Sequence, residues 1–272
     1  MRTQTVTDQM DRSVTIPFPP QRIVSLVPSQ TELLFDLGLG EQVVGVTKFC
    51  VHPAEQVRQK QSVGGTKKFR FDVIEQLQPD LILGNKEENY EEGIERLVAS
   101  YPVWMSDVKT LNDGLEIIRA VGEMTGCSEQ ASELARQIEA GFGALAHNLV
   151  PSQKPIRTAY FIWQKPYMVV GGDTFIDDML ARCGFENVFR EWNGRYPQLT
   201  PADIEAANLD LILLSSEPFP FAAKHQQAIA TEFPNVHVEL VDGELFSWYG
   251  SRLLKTAPYL TNLASEAYSF SE

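Results

Sequence analysis

Cys50 and His52 stand two residues apart in the loop TKFCVHP, and thiolate and imidazole both bind cobalt, iron or zinc. No third ligand accompanies them, so two readings stand side by side: a hydrogen-bonding His52, or an axial ligand to the metal of a bound macrocycle. His147, His225 and His237 fall on a helix end and outer segments, where they read as surface residues, and their scatter is not that of a zinc-binding triad. Cys50, Cys127 and Cys183 are odd in number and widely spaced, which gives neither a disulfide framework nor a zinc knuckle. Carboxylates are plentiful but form no recognisable acid/base pair. There is no Walker A loop and no Gly-x-Ser-x-Gly elbow. Gly38, Gly40 and Gly45 of GLGEQVVG follow a helical segment, which is the wrong context for a dinucleotide fingerprint. The expectation is a protein that is not an enzyme and has no metal or cofactor of its own.

The elements that would carry such loops alternate between short aliphatic runs and longer helical segments, an α/β pattern. RIVSLV reads as a buried strand, and PSQTELLFDLGLG as a helix with Ser29 as N-cap, Glu32 completing a capping box and Gly38 ending it. VVGV, PDLILG and PVWMSD are further strands, and FDVIEQL is a short helix. The second half repeats the plan with RTAYFIW, TFIDDMLARCG, PADIEAANLDLILLS and NVHVELVD. FDVIEQLQPDLIL and PADIEAANLDLIL match at Ile74 and Ile204, Glu75 and Glu205, and Asp80 and Asp210. LLFDLGLGEQV resembles MLARCGFENV, with Gly38 against Gly184. The expected fold is α/β: two similar lobes (1–107 and 151–272) joined through helices in 108–150. These include one long backbone helix from about Ser128 to His147, which would span ~30 Å at 1.5 Å per residue.

The 272 residues correspond to roughly two domains, with 43% apolar and 22% charged residues. A net charge of −13 repels phosphate backbones and disfavours nucleic acid as a partner. No run approaches the ~20 apolar residues of a membrane span. The N-terminal segment lacks the apolar core of a secretory signal peptide, which leaves a cytoplasmic chain or one whose leader is absent from this sequence.

RIVSLVPSQTELLFDLGL, FDVIEQLQPDLILG, GGDTFIDDMLARCGFENVF and the helical connector resemble the type III periplasmic binding proteins. These are substrate receptors of ABC importers for cobalamin, haem and ferric siderophores. The resemblance runs from about Thr5 to Ala267. CGFENVF followed by RYPQLT is most similar to the vitamin B12 receptors of that family. The resemblance implies a ligand cleft between the lobes, a corrinoid or other metal chelate as ligand, an importer permease as partner, a monomer, and a periplasmic location. Haem or ferric-siderophore binding, or an intracellular corrinoid-handling or chelatase-like role, are the alternatives.

Open α/β sheets bind ligands beyond the carboxyl ends of their strands. With the resemblance, this points in the first lobe to Pro28, Ser29, Thr31, Phe49, Cys50, His52 and Phe69. In the second it points to Trp163, Tyr167, Thr174, Trp192 and Tyr196, and near the C-terminus to Trp248, Tyr249 and Arg252. Eight of these are aromatic, and a large flat macrocycle wants aromatic walls with a few polar anchors; packing between loops is the plainer alternative. Ser29, Thr174 and Arg252 are the candidate anchors. Where the B12 receptors have a tryptophan before the FDVIEQL helix, this chain has Thr66. By the same resemblance Asp72 is a permease-docking acid. Its second-lobe counterpart is Ala202, with Asp203 and Glu205 adjacent.

Overall fold

The computed structural model describes residues 2–149 and 154–270, so the expected boundary at 150–151 lies outside the described residues. The chain forms two compact units. One holds the chain up to Val108, Asn112–Gln137 and Trp248–Arg252; the other holds Lys109–Leu111, Ile138–Ser247 and the chain from Leu253 onward.

The first unit opens with an antiparallel hairpin, β1 (Thr3–Thr7) and β2 (Ser13–Pro17). It continues with β3 (Ile23–Ser25), α1 (Pro28–Asp36), β4 (Val43–Val46), α2 (Ala54–Val57) and β5 (Gln61–Ser62). A second small hairpin, β6 (Gly64–Gly65) and β7 (Lys68–Phe69), precedes α3 (Phe71–Leu77), β8 (Leu81–Asn85), α4 (Glu91–Val98) and β9 (Val103–Ser106). The main sheet is parallel, in the order β5-β4-β3-β8-β9. Every residue of β3, β8 and β9 is buried, as expected of parallel strands covered on both faces. Two helices follow, α5 (Leu111–Thr125) and α6 (Ser128–Asn148). The 21-residue α6 is the long helix foreseen in the sequence, and the division between units falls within it, after Gln137.

The second unit contains β10 (Ile156–Trp163), β11 (Tyr167–Val169), α7 (Phe175–Arg182), β12 (Phe185–Asn187), β13 (Gln198–Leu199) and α8 (Pro201–Ala206). It ends with β14 (Leu211–Ser215), α9 (Ala223–Glu232), β15 (His237–Val241), α10 (Gly243–Ser247) and α11 (Leu253–Phe270). β10 pairs in parallel with β12 and β14, and β14 with β15; β11 joins β10 to β13 in antiparallel fashion. Phe161, Val169, Phe189, Ile204, Ile212 and Ile229 are among the fully or almost fully buried side chains of its core.

The internal repeat is physical. Arg22 stands just before the central strand of its sheet, β3, and Arg157 is the second residue of β10, the central strand of the other. The Arg22 Nε donates to the Leu77 carbonyl at 2.8 Å, and Arg157 donates to Asn208 O (3.1 Å) and Ala207 O (2.9 Å). Each guanidinium thus satisfies carbonyls that end a helix, α3 or α8, where a cation is favoured. The carboxylates of Asp80 and Asp210 accept from the backbone N–H of Arg22 and Arg157, at 2.8 and 2.9 Å. The residues that turn the chain between helix and strand, Gln78 (φ 45°) and Asn208 (φ 48°), are both left-handed. Gly38 (φ 79°) and Gly184 (φ 74°) likewise end α1 and α7 in the left-handed conformation that glycine tolerates.

One local expectation is corrected. Ser29 does not cap α1. Pro28 already occupies the first helical position, Val27 is the N-cap, and no side chain caps the helix. Proline's fixed φ suits that first position, so the helix starts one residue early, and Glu32 is free to pair elsewhere.

Candidate functional site

In the first unit, polar residues terminate otherwise apolar strands: Ser25, Asn85 and Ser106 end β3, β8 and β9. They build a buried network with the start of α1. Gln30 Nε2 donates to Ser106 Oγ at 2.6 Å and to Gly84 O at 3.3 Å, and Asn85 Nδ2 donates to the same hydroxyl at 3.0 Å. Asn89 ties in the loops by donating to Leu26 O and Thr66 O. Thr31 is fully buried, and its hydroxyl lies 2.9 Å from Val27 O, 2.7 Å from Ser25 Oγ and 3.1 Å from Cys50 Sγ. It therefore holds the loop together and does not face solvent. Cys50 is 4% exposed, and burial pushes its thiol up despite the hydrogen bonds from Thr31 and Thr47.

Trp248, Tyr249 and Arg252 belong to this unit and are buried. Arg252 makes a bidentate pair with Glu32, Nε–Oε2 at 2.8 Å and Nη2–Oε1 at 2.9 Å, and its guanidinium lies 4.7 Å from the Trp248 ring centroid. Its fork is thus engaged by a buried carboxylate. His52 meets the edge of Trp248 at 5.5 Å between ring centroids. Tyr249 lies beside Ser29, Gln30 and Ser106, and burial raises its phenol. Phe69 is packed inside against Phe71 and Tyr90. Phe49 is different. It is 49% exposed, with Lys48 Nζ 4.9 Å from its ring centroid.

In the second unit, Trp163 closes β10, is 40% exposed and packs against Phe219 at 5.4 Å. Trp192, 41% exposed, leans on Phe189 at 5.2 Å. Tyr167 and Tyr196 are half-buried. The Tyr167 ring packs on Phe161 and its hydroxyl donates to Glu232 at 2.7 Å; partial burial first, then Glu232, pushes the phenol up to about 12. Thr174 is buried: its oxygen caps α7 by accepting from Asp177 N, and its hydroxyl donates to Gly171 O. Both roles are structural.

Asp72 stands exposed in the first turn of α3, 3.8 Å from Arg70. Asp203 sits in a capping box with Thr200 at the start of α8, and those hydrogen bonds hold its carboxyl below the usual range. Glu205 is exposed on the same helix. Among the described residues, no group of three or more His, Cys, Asp or Glu side chains is placed to hold a metal ion, and no helix is long and apolar enough to cross a membrane.

Sequence reasoning missed Glu32 as the partner of Arg252, and Gln30, Asn85, Asn89 and Ser106 as a network. A signal was present for the last group, since a polar residue ends each apolar strand run. None existed for Glu32 and Arg252, which lie 220 positions apart.

Each unit thus carries a mostly parallel sheet with helices, and aromatic side chains are exposed at or just past strand ends. The chain belongs to the periplasmic binding protein family, whose pattern matches residues 23–234. It is 27% identical over 252 residues to the Vitamin B12-binding protein of Pectobacterium atrosepticum, covering 91% of this chain and 89% of that one. Its fold matches the periplasmic vitamin B12 binding protein BtuF of Vibrio cholerae with a TM-score of 0.78 at 22% identity, over 93% of this chain and 99% of the other. It also matches the periplasmic haem-binding protein RhuT of Roseiflexus sp. RS-1, with a TM-score of 0.77 at 24% identity, over 91% and 98%.

Proposed function

We propose that this chain is the substrate-binding protein of an ABC-type importer and captures a corrinoid, cobalamin first among the candidates, by non-covalent contact. One observation carries this reading. Phe49, Trp163 and Trp192 are the aromatic members of the exposed large hydrophobic set among the described residues, and all three lie at or beyond the carboxyl ends of strands. Exposed aromatics in one kind of position are what a large, partly apolar ring system needs. The similarity to a vitamin B12-binding relative over nine-tenths of the chain supports the corrinoid over other chelates. Asp72 serves as a permease contact, the chain works as a monomer, and its compartment is the periplasm.

The test is retention. Purified protein mixed with cobalamin, haem, a ferric hydroxamate or a ferric catecholate is passed over a desalting column and the eluate spectrum read. Cobalamin co-eluting with protein supports the reading. Retention of another chelate in its place keeps the binding protein and overturns the corrinoid.

A further inference from the structure

The chain carries a net charge of −13, yet six of the 24 residues from Thr47 to Arg70 are Lys or Arg, against one Glu. This basic segment contains Phe49. Lys48 N donates to Gly64 O at 2.8 Å, which ties the Phe49 loop to the hairpin of β6 and β7. A side chain at Gly65 would meet Phe49 Cε2 at 3.3 Å and Lys48 Cε at 3.5 Å, so both residues lie against that face of the hairpin. Lys68 is the direct partner of Gly65 in the hairpin, and directly opposed residues of antiparallel strands project to the same face. Lys68 therefore projects from the hairpin face against which Phe49 and Lys48 lie, with the Lys48 ammonium 4.9 Å from the ring centroid. Both lysines are exposed, and neither has a carboxylate within 4 Å among the described residues. Lys67, between them in the turn, is fixed by donating to Glu87 O at 2.7 Å. Glu87 and Glu88 bring two carboxylates to the neighbouring loop, so selection rests on the two lysines beside the ring itself.

We infer that Lys48 and Lys68 form an anion-reading edge around Phe49, which selects ligands whose apolar rim carries a carboxylate or phosphodiester. The inference rests on the reading that this end of the first unit contacts ligand. Ammonium groups beside an apolar ring can pair with an anionic substituent while the ring covers the adjoining apolar surface. Unpaired surface cations keep that attraction modest and salt-dependent.

Three corrinoids separate the sources of negative charge: cobinamide, which lacks the nucleotide loop; cobalamin, which has its phosphodiester; and a cobalamin with one side-chain amide hydrolysed to carboxylate. Affinities are measured by fluorescence titration for wild type, for Lys48→Gln/Lys68→Gln and for Lys48→Arg/Lys68→Arg, at low and high salt. Haem, with two carboxylates, is titrated in parallel, and thermal unfolding checks that the variants fold. In wild type, one or both corrinoids that carry an anionic group should bind about 5- to 10-fold tighter than cobinamide, the size two weak ion pairs allow. That ratio should fall towards one in the glutamine variant and return in the arginine variant. An unchanged ratio in the glutamine variant overturns the inference and leaves the corrinoid reading intact. Haem binding that weakens in the glutamine variant, without corrinoid binding, overturns the corrinoid and upholds the anion-reading edge. Binding of none of these ligands overturns both.

Discussion

Glu32 and Asp178 occupy matching places, 146 positions apart, on α1 and α7, the first helix after the central strand of each sheet, the same offset that relates Gly38 to Gly184. Each carboxylate holds a short segment whose chain neighbours belong to the other unit: Trp248–Arg252 in the first, Lys109–Leu111 in the second. Glu32 does so as a buried ion pair with Arg252, both side chains 8% exposed. Asp178 does so by accepting from Leu111 N at 2.8 Å while also taking Arg182 Nε at 2.7 Å, in a more open setting. One repeated position thus serves one purpose by two chemistries. A buried carboxylate must meet a full counter-charge, whereas a partly exposed one can accept a backbone N–H and keep some hydration.

That contrast sets the largest expected effect. Glu32→Ala removes the carboxylate that pairs with the buried Arg252 guanidinium and should cost about 3–5 kcal/mol in urea unfolding. Asp178→Ala removes hydrogen bonds to a half-open carboxylate and should cost about 1–3 kcal/mol. Equal costs would remove the distinction between the two fastenings.

The opposite ends of the sheets sharpen the comparison, because there the units agree. Asp80 accepts from two backbone N–H groups, of Gln21 and Arg22, and Asp210 from one, of Arg157. Asp80→Ala should therefore destabilise by about 1–2 kcal/mol and Asp210→Ala by about half that, when unfolding is followed by circular dichroism. The reverse order would mean that hydrogen-bond count does not rank these sites.

The smallest effect concerns pH. Hydrogen bonds from Thr200 lower the Asp203 carboxyl in the folded chain. Its stabilisation is present above the ordinary Asp value of about 3.9 and disappears as pH falls through the depressed folded value. Asp203→Asn should lower the unfolding midpoint slightly at pH 7, with the difference from wild type narrowing below pH 4. A difference that grows on acidification would reverse the sign assigned here.

These contrasts explain what could be read from the sequence. The repeat was legible because the helix-to-strand turn uses local chemistry: a left-handed residue, then Asp two positions on, before an apolar strand, as in Gln78–Asp80 and Asn208–Asp210. The long helix α6 was legible from its period and from the Gly126–Ser128 break. Legibility failed where one residue's partner is remote. Glu32 fits a capping box by spacing alone, and nothing near it announces Arg252. The N-terminal hairpin alternates in TQTVT and SVTIP, but its loop turns through Asp11 at φ 59° without a glycine signal. Among the candidate site residues, type selected the aromatics, but burial divides them: Phe69, Trp248 and Tyr249 are inside, while Phe49, Trp163 and Trp192 are exposed.

The most direct measurement is a cobalamin titration of wild type and Phe49→Ala, read by tryptophan emission and corrected for cobalamin absorbance. Phe49 is not itself the reporter, and Trp163 and Trp192 are exposed indoles that a bound cobalamin can quench. Saturable quenching should appear in wild type and shift to about tenfold higher cobalamin in Phe49→Ala, the loss of ~1.4 kcal/mol that a contact anchor carries. Absence of saturable quenching, or identical curves for the two proteins, would contradict corrinoid capture by the exposed aromatics.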